Sequence, residues 1–476
     1  MKKYDIIFVG AGPANVFAVL ELIKKDKEKK LNILMIEKGK RVEKRACPIQ
    51  DGRVNKCINC SICDIMSGLS GAGAFSDGKI SLYDKEEDDI RVGGNLSNII
   101  GNDETKLLID RVDEIYLSYG ADTKLEGVEE KEKIRDIQEM AKKENIELIN
   151  IPIRHLGTEK AHEIYLAMQN FLEENKVDII YETTVDKLLV KDNKAYGVTT
   201  NFPNKPINYY GDDIVVGVGR RGAKWLSDIC ETHNIESKVG MIDLGFRVEM
   251  TNETMNEINR LFYEGKIVID STLTYNDKVR SFCHNPGGFV SNEGYGDMVL
   301  VNGHSYKEKK SENTNLAILS THSFKYPFRN PIEFGEKVAK LCNMLGGGQS
   351  LVQRYGDLKS GKRSWPSDLR NNSIKPTLEA AFPGDIGSAF PYRSMMNIIE
   401  FIDSVGKIIP GFAHEDNLLY APEIKFYSNE VVVDINLKTS IEALYMVGDA
   451  AGISRGLSQA GASGLYIADI LWKKFD

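Results

Sequence analysis

What this chain lacks narrows the possibilities first. No run of its 476 residues approaches the ~20 consecutive apolar positions that a membrane-spanning helix needs, so no membrane partner is expected. Basic charge is not in surplus. Lys and Arg number 61 against 69 Asp and Glu, a formal net charge of −8, which argues against a nucleic-acid binder with its basic stripe. Cysteine is sparse and odd in number, seven in all, which does not fit a disulfide scaffold. The charged start Met1-Lys2-Lys3 lacks an apolar core behind it, because Asp5 interrupts at once and a glycine-rich turn follows, so a cytoplasmic protein is expected. Apolar residues are not deficient: 42% apolar with 27% charged is an ordinary soluble mixture and excludes wholesale disorder. At ~150 residues per domain the length suggests about three domains, or two with one interrupted.

What is present is glycine, 42 residues, about 9% against an average of roughly 7%. Its clusters punctuate a recognisable pattern. Tyr4–Val9 is a short apolar run, Gly10–Asn15 a turn, and Val16, Val19, Leu20 and Ile23 mark one face of a helix ending in a lysine-rich tail. Leu31–Ile36 is a second apolar run closed by Glu37. Strand, turn, helix and strand within 40 residues is the βαβ unit of a dinucleotide-binding domain. Residues 79–102 read as an exposed connection and 103–145 as helical. Short strands follow at 177–181, 185–190, 195–200 and 214–218. The last segment restores the opening pattern: strand 443–447, Gly448-Asp449, then a Gly/Ala/Ser-rich entry into a helix. The expected fold is therefore α/β, a Rossmann-like doubly wound dinucleotide-binding domain in three pieces (1–100, 151–240 and 425–476). A helical insertion over 101–150 and a mixed α+β substrate or cap domain over 241–424 complete it.

The chemistry begins at Gly10-x-Gly12-x-x-Asn15. Gly10 permits a sharp turn, and Gly12 lets the backbone approach a pyrophosphate at the helix N-terminus, where amide N–H groups and the helix dipole favour an anion. Glu37 is placed to accept from ribose hydroxyls. Asn15 stands where a third glycine is usual, implying a wider helix–strand gap or a polar contact. Near the other end, Asp449 would hold a ribityl hydroxyl, and the helix start around Gly461 and Ala462 would lie under a flavin ring. That second element points to FAD rather than NAD.

At this point the chain resembles the FAD-dependent oxidoreductases of the glutathione-reductase-like superfamily, and within it a group of uncharacterised bacterial and archaeal FAD-dependent dehydrogenases. The resemblance is carried by GAGPAN (Gly10–Asn15) with Glu37, SGAGAFSDGK (Ser70–Lys79), RHLGTEK (Arg154–Lys160), GVGRRGAKWL (Gly217–Leu226), SFCHNPGGFV (Ser281–Val290), NGHSY (Asn302–Tyr306), GGGQSLVQRYGDL (Gly346–Leu358), YAPEIKFYS (Tyr420–Ser428) and GDAAGISRGLSQAGASG (Gly448–Gly464). It implies FAD and redox chemistry without supplying a substrate. It also implies cofactor contacts from Pro13, Ala14, Lys38, Gly73, Val185 (along the adenine through its backbone), Gly219 and Gly448.

Two other glycine patterns are decoys. Gly217-x-Gly219-x-x-Gly222 reads as the end of a strand returning to the FAD domain rather than a second NAD(P)H site, since no strand ending in an acid follows. Gly356-x4-Gly361-Lys362-Arg363 falls short of a P-loop, with Arg363 where a Ser or Thr must meet Mg²⁺ and no apolar strand expected before it.

Four cysteines, Cys47, Cys57, Cys60 and Cys63, have spacings that suit a compact sulfur-ligated centre. A [4Fe–4S] cluster, a structural zinc and metal-free thiols all remain open. Cys283, next to His284, reads either as a buried inert residue or as a reactive thiol; neighbours on an extended segment point opposite ways and need not pair. His155 is a proton donor or a helix-entry contact, and Lys79, Arg247, His304 and Arg393 are candidate binders of an acidic substrate. The expected activity is hydride transfer between flavin N5 and a small organic substrate. Electrons would come from the cysteine cluster, from a redox partner protein or from diffusing NAD(P)H. An electron-transfer protein acting with a protein partner and a FAD-binding RNA-modification or structural protein are the rivals.

Overall fold

The computed structural model describes residues 3–475 except 49–50, 52, 54–57, 59, 76–77, 84–89, 91–93, 203–204, 263–264, 271–274, 296, 305–308, 329 and 428. The chain divides into two compact units. The first comprises 1–125, 152–240 and 427–476, and the second 126–151 and 241–426.

The first unit is built on a parallel sheet. Strand β1 (Lys3–Val9) lies between β2 (Ile33–Ile36) and the long β6 (Lys205–Val216), parallel to both. Beyond β2 comes β3 (Asp178–Ile180), and β7 (Leu444–Met446) pairs in parallel with the end of β6. The parallel order is thus β3-β2-β1-β6-β7, the Rossmann-like arrangement expected. Strands β4 (Val185–Lys191) and β5 (Lys194–Phe202) join the first half of β6 as an antiparallel meander. Ile6, Ile7 and Phe8 are wholly buried, as a strand covered on both faces requires.

Helix α1 (Pro13–Lys25) starts with proline, which loses nothing at a first helical position because that N–H has no partner in the helix. The amphipathic reading of α1 proves too narrow: every residue from Ala14 to Leu22 is buried. The cause is α4 (Leu457–Trp472), which packs along α1, with α2 (Asn102–Ser118) against α4 in turn. Helix α3 (Thr158–Glu174) packs on residues 73–75 and 42–44. The close approach of α4 to α1 is made at Gly464. A Cβ there would stand 1.9 Å from the Ala14 carbonyl oxygen.

The helical stretch expected as one insertion over 101–150 is divided between the units. Residues up to Leu125 belong to the first, through α2, and Glu126–Ile151 to the second. Nor is 79–102 merely an exposed connection. Lys79–Ser81 pairs with Ile153–His155, and Ile80, Leu82 and Leu96 are buried.

The second unit centres on an eight-stranded, mainly antiparallel sheet whose longest strands are Ile242–Thr251, Asn313–His322 and Leu418–Phe426. Along Ile242–Thr251 the even positions Ile242, Leu244, Phe246, Val248 and Met250 enter a hydrophobic core, while Asp243, Arg247 and Glu249 occupy the other face. All three charged residues are fully buried.

Replacing Gly464 with Val should therefore push α1 and α4 apart. We expect a loss of roughly 1–3 kcal/mol or more, read as a lower midpoint in thermal denaturation.

Candidate functional site

Three turns meet at the C-terminal edge of the parallel sheet, the edge where open α/β sheets bind ligands. Val9 is level with Val216, and Val216 with Met446. The Gly10 N–H donates to the Ile36 carbonyl at 2.8 Å, the Gly217 N–H to Val9 at 3.0 Å, the Val447 N–H to Val216 at 3.0 Å and the Ala450 N–H to Val218 at 3.2 Å. The loops Gly10–Asn15, Gly217–Gly219 and Gly448–Asp449 are thereby brought together, with Glu37 just past the end of β2. Gly10 has φ +90°, and a Cβ there would lie 3.0 Å from the Gly217 carbonyl oxygen. The second glycine pattern is thus the end of β6 in this same sheet, with Gly222 N–H closing on Gly219 at 2.7 Å before a helix.

Asn15 makes the polar contact that its departure from glycine implied. Fully buried, it donates from Nδ2 to the carbonyls of Val9 at 3.0 Å and Gly10 at 2.7 Å, bracing the turn from behind. Its Nδ2 is therefore committed, while Oδ1, an acceptor with no attraction for an anion, is buried without a hydrogen-bond partner. What it and Ala14 offer an anion is the first-turn backbone N–H.

Glu37 is 6% exposed and bound by three backbone amides. Its Oε2 accepts from Ala11 at 2.8 Å, and its Oε1 from Gly39 and Gly68, each at 2.9 Å. Two donors at Oε1 and one at Oε2 leave Oε2 with the spare lone pair for a ribose hydroxyl. Beside it, burial pulls the half-buried Lys38 ammonium below its ordinary value, with Glu37 opposing and Arg221 reinforcing the shift. The Thr183 N–H donates to the Glu37 carbonyl at 3.0 Å, which brings the segment entering β4 at Val185 alongside.

At the far turn, Gly448 takes φ +79°, and the half-buried Asp449 accepts from Ser454 Oγ at 3.0 Å. Gly461 and Ala462 lie a turn inside α4 and are buried; a Cβ on Gly461 would meet Val112 of α2 and Phe17 of α1. These two residues pack the helix, so the part of α4 open to a ring is its N-terminus at Gly456–Leu457. Gly73 opens a short 3₁₀ turn (Gly73–Phe75) seated on Tyr165.

Cys60 is exposed and Cys47 and Cys63 are half-buried, all as free thiols, while Cys57 lies outside the described residues. Among the described residues no three His, Cys, Asp or Glu side chains are grouped to hold a metal ion. His155 ends a short ladder, opposite Lys79, just before α3.

In the second unit the buried reading of Cys283 is overturned. The residue is exposed and has φ +49° where the strand pairing slips between Phe282 and Asn285. His284 does point the other way, 3% exposed, with Nε2 3.1 Å from Ser281 Oγ. Arg247 and Arg393 prove committed to carboxylates. Arg247 grips Glu423 at 2.6 and 2.7 Å, both wholly buried, and Arg393 grips Asp277 at 2.5 Å through two nitrogens. Burial works against ionised Glu423, but Arg247 and Lys425 outweigh it and hold the carboxyl below its ordinary range. The P-loop decoy does follow a buried strand, Leu351–Arg354, contrary to expectation, yet Ser364 Oγ is spent on Asp357 at 2.7 Å.

Residues 241–425 match a family model described as "FAD-dependent protein, C-terminal domain-like". An uncharacterized protein of Clostridium beijerinckii (strain ATCC 51743 / NCIMB 8052) is 24% identical over 499 residues, 99% of this chain and 81% of its own length. Among solved structures, a mutant of E. coli quinol fumarate reductase FrdA is similar at a TM-score of 0.47 and 11% identity, covering 99% of this chain and 70% of that one. L-proline dehydrogenase from P. horikoshii is similar at 0.40 and 12%, covering 99% and 94%.

Thiol reactivity should divide sharply. Burial pushes Cys230 up to about 11 and Cys342 up to about 12. Alkylation of metal-free protein at neutral pH should label Cys60 and Cys283 quickly, and Cys230 and Cys342 only after unfolding, as read by mass spectrometry. Glu423→Gln should cost the second unit about 3–5 kcal/mol by urea denaturation at pH 7, because it leaves Arg247 buried without its counter-charge. A depressed carboxyl stabilises above its ordinary value of 4.5 and loses that contribution as pH falls through the folded value. Below about pH 4.5 the wild-type advantage over the variant should therefore shrink.

Proposed function

We propose that this protein is a FAD-dependent oxidoreductase of the glutathione-reductase-like kind, moving a hydride between flavin N5 and a small organic substrate. The observation that carries the reading is the meeting of the Gly10, Gly217 and Gly448 turns beside the buried carboxylate of Glu37. The match of residues 241–425 to a FAD-dependent family supports it.

The donors suit the cofactor piece by piece. Pro13 has no N–H and the Ala11 N–H is taken by Glu37, so the diphosphate would meet the amides of Gly12, Ala14 and Asn15 at the positive end of α1. Oε2 of Glu37 would accept a ribose hydroxyl, with Lys38 alongside as a cation of lowered proton affinity. Val185 would border the adenine, and Gly73 and Gly219 the chain between the two ends. Asp449, facing the turn at Gly448, would accept from the ribityl chain. The N-terminus of α4 would face the ring's carbonyl edge and favour negative charge there. Bound FAD supplies two-electron chemistry at N5. The chain's own residues bind and orient it, and Glu37 does so by holding three backbone segments at once.

For substrate chemistry, exposed Cys283 and His155 stay as candidates, and an iron–sulfur or zinc centre at Cys47, Cys57, Cys60 and Cys63 stays a proposal. The electron donor would then be that centre, a partner protein or diffusing NAD(P)H.

Anaerobically purified protein should show the paired absorption bands of oxidised flavin and release FAD on denaturation. Asp449→Ala should weaken FAD binding by roughly 10–100-fold, about 1.4–2.7 kcal/mol. A colourless protein that takes up no added FAD overturns the reading. In the same preparation, iron that is lost in Cys60→Ser with FAD retained would assign the cysteines to a cluster; absence of both iron and zinc would leave them as thiols.

A further inference from the structure

Among the described residues, one buried cation of the first unit, Arg45, has no carboxylate bound to it. Arg45 is 5% exposed and directs its guanidinium wholly at the loop that follows the cysteines. Nε donates to the Asp64 carbonyl at 2.7 Å. Nη1 donates to the Leu69 carbonyl at 2.7 Å and Ser70 Oγ at 3.1 Å, and Nη2 to the carbonyls of Ile65 at 2.9 Å and Gly71 at 2.6 Å. A guanidinium has five N–H donors, and these are five bonds. The opposite side of the same loop is tied, by donors of its own, to the segment after β2 and to the dinucleotide turn. Gly68 N–H binds Glu37 Oε1, Leu69 N–H binds the Lys40 carbonyl at 3.1 Å, and Ser70 N–H binds the Ala11 carbonyl at 2.7 Å. Residues 64–71 are a strap: the carbonyls of Asp64, Ile65, Leu69 and Gly71 turn in on Arg45, while the amides of Gly68 and Leu69 bind the Glu37–Lys40 segment and that of Ser70 binds the Gly10–Gly12 loop at Ala11. Past the strap, the ring of Phe75 lies 4.5 Å under the Arg45 guanidinium.

We propose that Arg45 is a positioning residue of the FAD site: by gathering the inward carbonyls of residues 64–71 it preforms the strap that closes against the phosphate-binding turn. The proposal rests on the FAD reading above. The charge and the fork geometry are both required. Four main-chain carbonyls converging on one point repel each other unless a cation sits among them, and only a planar five-donor group satisfies them from a single position. Without it the strap must turn its carbonyls to water, which breaks the outward bonds to Glu37 and Ala11 as well.

Two measurements on the full-length protein decide the matter. In apo protein, amide exchange at residues 68–71 should be slow in the wild type and at least tenfold faster in Arg45→Met and Arg45→Lys, while exchange in β1 stays unchanged. In a titration of FAD followed by flavin fluorescence, both variants should raise Kd at least tenfold, whereas Lys44→Met, an exposed neighbour, should match the wild type. Arg45→Lys keeps the charge and stem and tests the fork itself, so the proposal stays open to refutation even where the Met variant does not fold. Unchanged exchange at 68–71, or faster exchange with an unchanged Kd, overturns it. Failure of the wild type to bind FAD refutes the FAD reading instead, and the exchange result then stands alone on the strap.

Discussion

The first unit depends on β1 being paired along both edges. Its apolar side chains are buried on each face, so its backbone has no access to water and must find every partner within the sheet. Those partners come from residues 33–36 and 210–216, and β6 in turn recruits 444–446. Because all these strands run parallel, their C-terminal ends finish level, and each must turn there. The concave, amide-lined edge follows from parallel pairing alone, before any residue is chosen for binding.

What the side chains add is complementary bookkeeping of donors and acceptors. Glu37 gathers N–H groups from three segments, and Arg45 gathers carbonyls from one of those three, residues 64–71. One anion and one cation, each satisfied mainly by backbone, tie together loops that share almost no regular structure. Asn15 works likewise, spending its amide on two carbonyls of the turn that precedes its own helix. In the second unit the buried Arg247–Glu423 pair shows the other solution, in which opposite charges satisfy each other directly.

The parts of this architecture that were legible in the sequence are those governed by local rules. Apolar runs mark β1 and β2, and Gly10 marks a turn that takes a positive φ. Asn15 in place of a third glycine signals a polar contact. The rest depended on partners distant in the chain. Gly461 reads as a helix-start glycine until Val112 and Phe17 are seen against it. Arg247 and Arg393 look like free cations until Glu423 and Asp277 appear, and Arg45 sits in the basic stretch Arg41–Arg45 that resembles an ordinary solvated surface. The choice between a buried and a reactive Cys283 is not legible in the sequence, because one irregular step in a strand turns its side chain outward and nothing in its immediate neighbours encodes that step.

The order of the segments along the chain has a consequence for biosynthesis. The first unit is interrupted twice, and β7 and α4 come from its final piece, whereas the second unit is complete once residue 426 is made. On a ribosome that extends the chain from its N-terminus, β1, β2 and α1 are made before the second unit yet wait for residues 427–476, made after it, before α4 can cover α1. The first unit therefore closes after the second, and its nascent apolar surface is the stretch a chaperone would have to shield.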